Sequence, residues 1–475
     1  MNRRDFLKLG AAMPLLAQRS KRPPNIVWIM ADDLGYADLG CYGQKYIRTP
    51  NIDRMAAEGM RFTNVYSGCT VCAPSRNVLM TGYHTGHVTV RSNPGGVAIH
   101  ASDITAAQVL KSAGYATGGF GKWGLGEVGT EGVPWKHGFD QFFGYLHQIH
   151  AHFYYPPYLM DNDKKYPLPG NENGKHTTYS HDVIAGKALD FIRSRKDDPF
   201  FCYVPFTIPH WELLVPDDSR AGYHPELPEV GAIPPGHYGA QEFPRAAYAG
   251  MITRMDRDVG RIMSLLKELK LDDNTIVFFT SDNGPVVPAA RGQGRENADF
   301  FKSAGPLRGR KTTMYEGGIR VPMIARWPGR IAGGGTSDLP WYFADFLPTA
   351  AELAGAKTPS GLDGMSVVPE LLGAQASGRA QKRHEFMYWE LPTYEAKTGT
   401  FRPGAPMQAV RMGDWKAVRP KLDGMLELYN LARDIGETTN IAAENPKVME
   451  RIETYLKTAR TEPPQQLEPK SEWHF

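Results

Sequence analysis

The chain has 475 residues, of which 41% are hydrophobic and 22% charged, and its formal net charge is +3 at pH 7. That length allows one large domain and a smaller one, each with its own core, and the composition is typical of globular proteins. The sequence contains no long basic run and no apolar stretch long enough to cross a bilayer. A nucleic-acid partner and a membrane span are therefore not expected.

The first residues have the pattern of an export signal. Paired arginines, Arg3 and Arg4, and the sequence Phe6-Leu7-Lys8 precede a short, weakly apolar run at residues 9–17. This order resembles a twin-arginine signal peptide, and a frayed amphipathic N-terminus is the alternative. We predict a signal peptide over residues 1–20 and a bacterial protein that is periplasmic or secreted.

Several apolar runs are typical of buried strands in a parallel sheet. They lie at residues 25–30, 116–120, 200–204 and 275–280. Between them, Thr49 can cap a helix that has Pro50 at its first position and Gly59 past its end. A 3.6-residue apolar period predicts a long amphipathic helix over 246–269. Strands alternating with helices predict an α/β fold, with a large, mixed, mostly parallel sheet sandwiched by helices.

The pattern changes after about residue 375. Residues 410–411, 415–418 and 427–429 are typical of short antiparallel strands, and residues 446–461 of a closing helix. We therefore divide the mature chain into a larger α/β domain over 22–375 and a C-terminal α+β subdomain over 376–475, with a short antiparallel sheet and a helix.

Oxygen-bearing side chains directly follow two of the predicted strands. Asp32 and Asp33 come after the first strand, and Asp282 and Asn283 come after the last. Ligands of open α/β sheets bind at the carboxyl ends of strands, so these side chains are candidates to share one site. An all-oxygen set suits calcium or magnesium. Either pair alone would more simply cap a following helix, but both pairs beside the motif described next favour a metal site.

A cysteine motif lies after the first predicted helix. The sequence Cys72-Ala73-Pro74-Ser75-Arg76 is followed by Leu79-Met80-Thr81-Gly82. The proline suits the first turn of a helix and the glycine its end, which puts Cys72 at the positive, anion-binding end. Arg76 lies one turn in and can point back to bind an anion. The residues alone indicate a reactive thiolate at a helix N-terminus.

This motif, with further blocks in the same order, resembles the formylglycine-dependent sulfatases. The matching blocks are residues 31–35, 49–53, 72–82, 114–117, 121–123, 209–210, 281–284, 308–311, 316–322, 345–349 and 413–416. The resemblance implies that a dedicated maturation enzyme oxidises Cys72 to formylglycine, whose hydrated aldehyde is the nucleophile and a metal ligand. It also implies a calcium ion, or magnesium, held by Asp32, Asp33, Asp282, Asn283 and residue 72.

The second signature departs from the family pattern. Many members read Gly-Lys-Trp-His-Leu-Gly, and this chain has Gly124 in place of the histidine. That histidine would touch the formylglycine hydroxyl, so another side chain must replace it. We expect His152, because its Ala-His-x-Tyr-Tyr-Pro segment resembles a branch of bacterial sulfatases with the same glycine; His150 is the alternative.

The resemblance also implies roles for the remaining residues. The metal, Arg76, Lys122 and Lys311 would clamp the sulfate oxygens, and Asp282 would help to deprotonate the attacking hydroxyl. His210, with Lys311, would protonate the leaving oxygen, and His152 or His150 would be the base for the second hydroxyl. The alternative without a catalytic role is that the lysines are surface charges and that the histidines are only structural.

The predicted activity is hydrolysis of sulfate esters on a sulfated carbohydrate or an aryl sulfate, with a sulfated polysaccharide or glycan favoured. A phosphate or phosphonate ester hydrolase of the same superfamily is one alternative, although the sequence offers no convincing second-metal set. A non-catalytic protein that binds sulfated glycans is the other.

Glu316 and Arg320 are expected to form an ion pair that holds the Lys311 segment.

Overall fold

The structure is a computed structural model that describes residues 22–236, 238–286, 295–395 and 398–463. The predicted signal peptide over residues 1–20 lies outside the described residues. None of the described helices is long and apolar enough to cross a membrane.

Strands and α-helices follow one another along the described residues. The strands are β1 Asn25–Ala31, β2 Met60–Phe62, β3 Val65–Tyr66, β4 Ala116–Lys122, β5 Gln141–Tyr145, β6 Tyr158–Asp161, β7 Lys164–Pro167, β8 Phe200–Pro205, β9 Thr275–Ser281, β10 Met323–Arg326, β11 Gly335–Ser337, β12 Trp341–Tyr342, β13 Met387–Leu391, β14 Tyr394–Glu395, β15 Thr400–Phe401, β16 Met407–Met412, β17 Trp415–Arg419 and β18 Glu427–Asn430. The helices are α1 Pro50–Ala57, α2 Cys72–Thr81, α3 Ala106–Ser112, α4 Ser180–Ser194, α5 Asp217–Arg220, α6 Pro244–Glu268, α7 Arg295–Phe301, α8 Glu316–Ile319, α9 Phe346–Ala354, α10 Val368–Leu372, α11 Ala374–Ser377 and α12 Pro446–Leu456.

Within the described residues, a ten-stranded sheet forms the centre of the molecule, in the order β11-β2-β10-β9-β1-β8-β4-β5-β6-β7. The strands from β9 to β5 are parallel, and β10, β6 and β7 pair with their neighbours in the antiparallel sense. Met30 of β1 pairs with Pro205 of β8 on one side and Thr280 of β9 on the other. The four predicted apolar strands are the four adjacent strands β9, β1, β8 and β4, which confirms the mixed, mostly parallel sheet.

Both faces of this sheet are covered by helices. Ile26, Trp28 and Met30 of β1 are fully buried in a core shared with α2, α3 and α9. The alternate residues of the same strand face a second core, shared with α1, α4 and α6. A strand buried on both sides must be apolar at every position, which is why β1 and its neighbours are continuous apolar runs. Burying a side chain such as Ile26 contributes about 1.5–3 kcal/mol.

The two predicted helices are present, with one difference in capping. The helix predicted over 246–269 is α6, Pro244–Glu268, and α1 begins at Pro50 as expected. The hydroxyl of Thr49 does not cap α1. It accepts from the backbone N of Gly40 at 2.9 Å and donates to Asp53 Oδ1 at 3.1 Å, so it fixes the preceding turn instead.

The C-terminal region forms a four-stranded antiparallel sheet in the order β13-β16-β17-β18. One face, including Trp389 and Val418, joins the core that contains α2 and α9. The opposite face, including Tyr388 and Leu428, packs with Ile452 of α12. The predicted antiparallel sheet and closing helix are confirmed, whereas the boundary at residue 375 stays a prediction.

Candidate active site

The acidic side chains follow neighbouring strands at one edge of the central sheet. Asp32 follows β1 and Asp282 follows β9, and the backbone N of Asp282 donates to Ala31 O at 3.1 Å. Asp33 has φ of 65°, a left-handed conformation that is uncommon for residues other than glycine. Its backbone N donates to Asp282 Oδ1 at 3.2 Å. This turn holds three carboxylates together, all buried.

Cys72 is the first residue of α2, and Gly82, with φ of 76°, caps the helix end as predicted. The Sγ atom of Cys72 lies 3.3 Å from Asp32 Oδ1 and 3.3 Å from Lys311 Nζ. Burial, with Asp282 and Asp32 nearby, raises the pKa of the Cys72 thiol. This environment therefore disfavours the reactive thiolate that the residues alone indicated.

Arg76 points back toward the start of its own helix, as predicted. Its guanidinium lies 2.7 Å from Asp282 Oδ2 and 3.6 Å from Asp32 Oδ2, and Nη1 donates to Lys122 O at 2.6 Å. The hydroxyl of Ser75 donates to Asp282 O at 2.5 Å and fixes the same aspartate. Burial and Asp32 raise the pKa of Asp282 to about 6, despite Arg76.

The two lysines are buried ion-pair partners and not surface charges. Lys122 Nζ lies 2.6 Å from Asp32 Oδ2, and Lys311 Nζ lies 2.7 Å from Asp33 Oδ1. Burial alone would lower the pKa of Lys311, but Asp33 outweighs it and holds that pKa well above its usual value. Burial likewise opposes ionisation of Asp32, and Lys122 holds its pKa well below the usual range. Lys311 and Asp32 are therefore both charged.

Two histidines stack at the side of Asp33. His210 Nδ1 contacts Trp211 O at 2.5 Å, which leaves Nε2 3.3 Å from Asp33 Oδ2. The ring of His152 stacks on that of His210 at 4.1 Å, and its Nδ1 lies 3.2 Å from the Tyr238 hydroxyl. Burial lowers the pKa of His210 to about 4 and the pKa of His152 well below its usual value, so both rings are neutral.

His150, the alternative to His152, lies elsewhere in the segment. Its ring packs against Tyr145 and Tyr158, at 4.9 Å from each. The structure therefore brings His152, and not His150, against a predicted site residue. Tyr154, in the same segment, is fully buried, and its hydroxyl donates to His210 O at 2.6 Å.

The space beside Gly124 is filled by a residue that belongs to none of the recognised motifs. Gly124 has φ of +73°, and a Cβ built on it would lie 2.5 Å from Gln148 Oε1. Gln148 lies two residues before His150, in the segment that carries both candidate histidines. An isolated glutamine carries no motif, so the sequence held no signal for it.

The donor set at this edge fits a divalent cation. Ligand atoms of Asp32, Asp33, Cys72 and His210 all lie within 4.8 Å of one another. Asn283 Nδ2 donates to Asp33 Oδ1 at 2.8 Å, while its buried Oδ1 has no hydrogen-bond partner among the described residues. A buried oxygen without a donor, next to carboxylates, is what a hard cation would complete.

A family model described as Sulfatase matches residues 24–356. The chain belongs to the sulfatase family. A second model, described as N-sulphoglucosamine sulphohydrolase, C-terminal, matches residues 310–466 of this sulfatase. The protein is therefore a sulfuric ester hydrolase, as its sequence predicted.

Named sulfatases are similar to it over most of their length. Arylsulfatase A of Homo sapiens is 34% identical over 483 aligned residues, which cover 91% of this chain and 86% of that protein. A sulfatase of Formosa agariphila is 30% identical, covering 91% of this chain and 88% of that protein. The N-acetylgalactosamine-6-sulfatase of Canis lupus familiaris is 35% identical over 79% of this chain and 71% of its own.

Solved structures agree with the fold. Ps i-CgsB, crystallised in complex with k-i-k-neocarrahexaose, has a TM-score of 0.77 and 28% identity, covering 94% of this sulfatase and 96% of that chain. A phosphonate monoester hydrolase of Agrobacterium radiobacter has a TM-score of 0.65 and 22% identity, covering 92% and 95%. That second likeness shows a shared fold alone, so the comparisons do not favour the phosphonate alternative.

Proposed function

We propose that this sulfatase hydrolyses sulfate esters of a polysaccharide or glycan, with formylglycine made from Cys72 as its nucleophile and calcium as its metal. One observation carries the proposal. Cys72 lies at the N-terminus of α2 in contact with Asp32 and Lys311, inside a cluster that also holds Arg76 and Lys122. Cations around a nucleophile suit attack on an anionic ester, because they neutralise its charge.

The substrate class is supported by relatives that act on sugars. The chain resembles N-acetylgalactosamine-6-sulfatases, and the similar Ps i-CgsB was crystallised with k-i-k-neocarrahexaose. A sulfated carbohydrate is therefore the proposed natural substrate, and an aryl sulfate a convenient synthetic one. Export through the twin-arginine signal at residues 1–20 would place the enzyme where such polymers are met, in the periplasm or outside the cell.

The metal would be held by residues with free or shared oxygen donors. These are Asp32, Asp33, Asp282, Asn283 and the modified residue 72. When bound, calcium supplies positive charge beside the reacting sulfate and orients the hydroxyl nucleophile. Magnesium has the same preference for oxygen and is the second candidate.

The proton transfers fall to residues with suitable charge states. Asp282, with its pKa raised to about 6, is the proposed acceptor for the proton of the attacking hydroxyl. Lys311 stays protonated, and His210 shares its Asp33 partner, so we place the proton for the leaving oxygen on this pair. His152 is neutral, and its Nε2 has no hydrogen-bond partner among the described residues. We assign it to accept the proton of the second hydroxyl at position 72.

The test begins with the mass of the peptide that carries Cys72, taken from protein produced with a competent maturation enzyme. Conversion to formylglycine lowers that mass by about 18 Da. The converted protein is expected to release sulfate from 4-nitrophenyl sulfate and from a sulfated polysaccharide, and Cys72→Ala to abolish release. Cys202→Ala is the matched control, since Cys202 is a buried free cysteine within β8 and should keep activity.

Three results would reject the proposal. An unconverted thiol in an active protein would remove the nucleophile. Faster hydrolysis of 4-nitrophenyl phosphate than of the sulfate would make the protein a phosphatase first. Sulfated-glycan binding without turnover, in converted protein, would favour the non-catalytic alternative.

A further inference from the structure

A buried carboxamide without hydrogen-bond partners lies beside the cationic cluster. Gln148 is 3% exposed, and neither its Oε1 nor its Nε2 has a hydrogen-bond partner among the described residues. Burying an amide unpaired is unfavourable, and native proteins retain few such groups. The two orphaned atoms therefore point to a ligand that completes their hydrogen bonds.

The place of this carboxamide is fixed by Gly124. A Cβ at position 124 would lie 2.5 Å from Gln148 Oε1 and 4.0 Å from Arg76 Cδ. The backbone N of Gly124 also donates to Leu146 O at 3.1 Å, which joins the strand end that carries Lys122 to the segment that carries Gln148. The amide oxygen of Gln148 thus lies over Gly124, and the stem of the Arg76 side chain comes near the same position.

The same segment reaches the other side of the site. Four residues after Gln148, His152 stacks on His210, which contacts Asp33. The chain between β5 and the short 3-10 helix His150–His152 therefore lines the site with an amide near Arg76 and an imidazole near Asp33.

We propose that Gln148 is a substrate-binding residue whose Nε2 donates a hydrogen bond to a sulfate oxygen beside Gly124, while its Oε1 lies over Gly124. The proposal rests on the proposed function and adds a contact that no sequence motif indicates. Arg76 and Lys122 are already bonded to Asp282 and Asp32, so they supply mainly charge. A neutral amide adds a directed donor without adding charge. Because an amide does not titrate, Gln148 orients the sulfate and leaves proton transfer to Asp282, the Lys311–His210 pair and His152.

The experiment compares Gln148→Leu with the wild type, using converted protein. Leucine keeps the approximate shape and removes both polar atoms. We expect kcat/KM for 4-nitrophenyl sulfate to fall at least about tenfold, the effect of losing one hydrogen bond to a charged group. We expect Tm to be unchanged or higher, because an apolar group replaces an unpaired polar one. If Gln148 were only structural, Gln148→Leu would not lower kcat/KM while leaving Tm unchanged or higher.

Gln408→Leu is the matched control. Gln408 lies in β16 and is 4% exposed, but its Nε2 donates to the Tyr388 hydroxyl at 2.6 Å and its Oε1 accepts from Arg419 Nε at 3.0 Å. The same substitution there removes satisfied hydrogen bonds away from the site. It should lower Tm and leave kcat/KM near the wild-type value.

A second variant and a binding measurement complete the test. Gln148→Glu puts a carboxylate against the sulfate, so the Kd of inorganic sulfate, measured by calorimetry, should rise at least about tenfold. Either an unchanged Kd in Gln148→Glu or a near wild-type kcat/KM in Gln148→Leu overturns the assignment, as does a loss of Tm like that of Gln408→Leu. If wild-type protein is converted at Cys72 but releases no sulfate, the proposed function is wrong. The Kd of inorganic sulfate would still test the role of Gln148 in that case.

Discussion

At the scale of single residues, the buried ion pairs decide which side chains can be substituted without also changing the stability of the protein. Three buried carboxylates and three cations share the site, which makes their burial tolerable. The shortest pairs are Lys122–Asp32 at 2.6 Å, Lys311–Asp33 at 2.7 Å and Arg76–Asp282 at 2.7 Å. Removing one partner of such a pair typically costs about 3–5 kcal/mol. A residue outside the pairs therefore separates chemistry from stability better.

His152 is such a residue. It is neutral, because burial and the neighbouring His210 hold its pKa well below the usual value, and its Nε2 has no partner among the described side chains. We expect His152→Ala to lower kcat by roughly 100-fold or more, the range for loss of a general base. The measurement is steady-state turnover of 4-nitrophenyl sulfate by converted protein, with Tm recorded beside it.

His150→Ala is the comparison that decides between the two histidines. His150 packs against Tyr145 and Tyr158, so its removal should lower Tm through lost packing while kcat stays close to the wild type. The reverse pattern, with turnover lost only in the His150 variant, would transfer the role to His150.

The types of residue at the site could be predicted, but not their environment. Carboxylates after apolar runs meet because the carboxyl ends of parallel strands share one edge, which is a rule of topology. The raised pKa of Cys72 depends on burial and on Asp282, a neighbour distant in sequence. Gln148 likewise gains its place from Gly124, on an adjacent strand end. Neither effect leaves a local pattern in the sequence.

At the scale of elements, the C-terminal sheet holds the segment that carries Lys311. Glu316, at the start of α8, forms the expected ion pair with Arg320 at 3.0 Å. It also pairs with Lys416 of β17 at 2.9 Å, and Lys416 pairs with Glu437 at 2.9 Å. All three members of this second network are fully buried. The sequence predicted the local pair, four residues apart, but not the lysine from another sheet.

This network makes stability depend on pH. Burial and the nearby Glu316 raise the pKa of Glu437 from 4.5 to about 7, despite Lys416. Between pH 4.5 and about 7, the folded protein keeps a proton on Glu437 that the unfolded chain releases. The protonated carboxyl of Glu437 therefore contributes fully to stability below pH 4.5, and this contribution is lost as pH rises through about 7. Glu437→Gln mimics the protonated form. Its Tm relative to wild type should therefore be higher at about pH 8 than at about pH 5.

The control for this prediction is Glu444→Gln, at an exposed carboxyl in the same C-terminal region. Its Tm difference from wild type should be the same at both pH values. A Glu437→Gln difference that is equally constant would show that Glu437 does not change its protonation on folding.

Strand prediction succeeded where burial demanded an apolar run and failed at the edges. β1, β8 and β9 are buried at every residue and are mainly apolar. β4 has a weaker apolar pattern, with Thr117, three glycines and Lys122. Edge strand β7, Lys164–Pro167, is exposed at every residue and carries no such stretch. Its pairing with β6 comes from chain geometry and not from hydrophobic pattern.

At the scale of the whole molecule, the two predicted domains share one core. Trp389 and Val418 of the C-terminal sheet belong to the same buried cluster as Leu79 of α2, the helix that begins at Cys72. The Trp389 indole donates to Ser67 O at 2.8 Å, and Arg91 lies 3.2 Å from Glu390. These contacts make the catalytic region dependent on residues beyond the predicted boundary at 375.

We therefore expect the fragment 22–375 not to fold independently. Without the C-terminal sheet it would expose the part of the shared core that contains Trp389 and Val418. Arg91 would lose Glu390, and Glu316 would keep Arg320 but lose Lys416; an uncompensated buried charge is strongly destabilising. Calorimetry should show one unfolding transition for the whole chain, and the fragment should bind a hydrophobic dye and show no cooperative transition. A fragment that unfolds cooperatively near the Tm of the whole chain would mean that the sheet is an appended domain. Its contacts with the segment before α2, such as that of Trp389 with Ser67, would then contribute little to holding Cys72 in place.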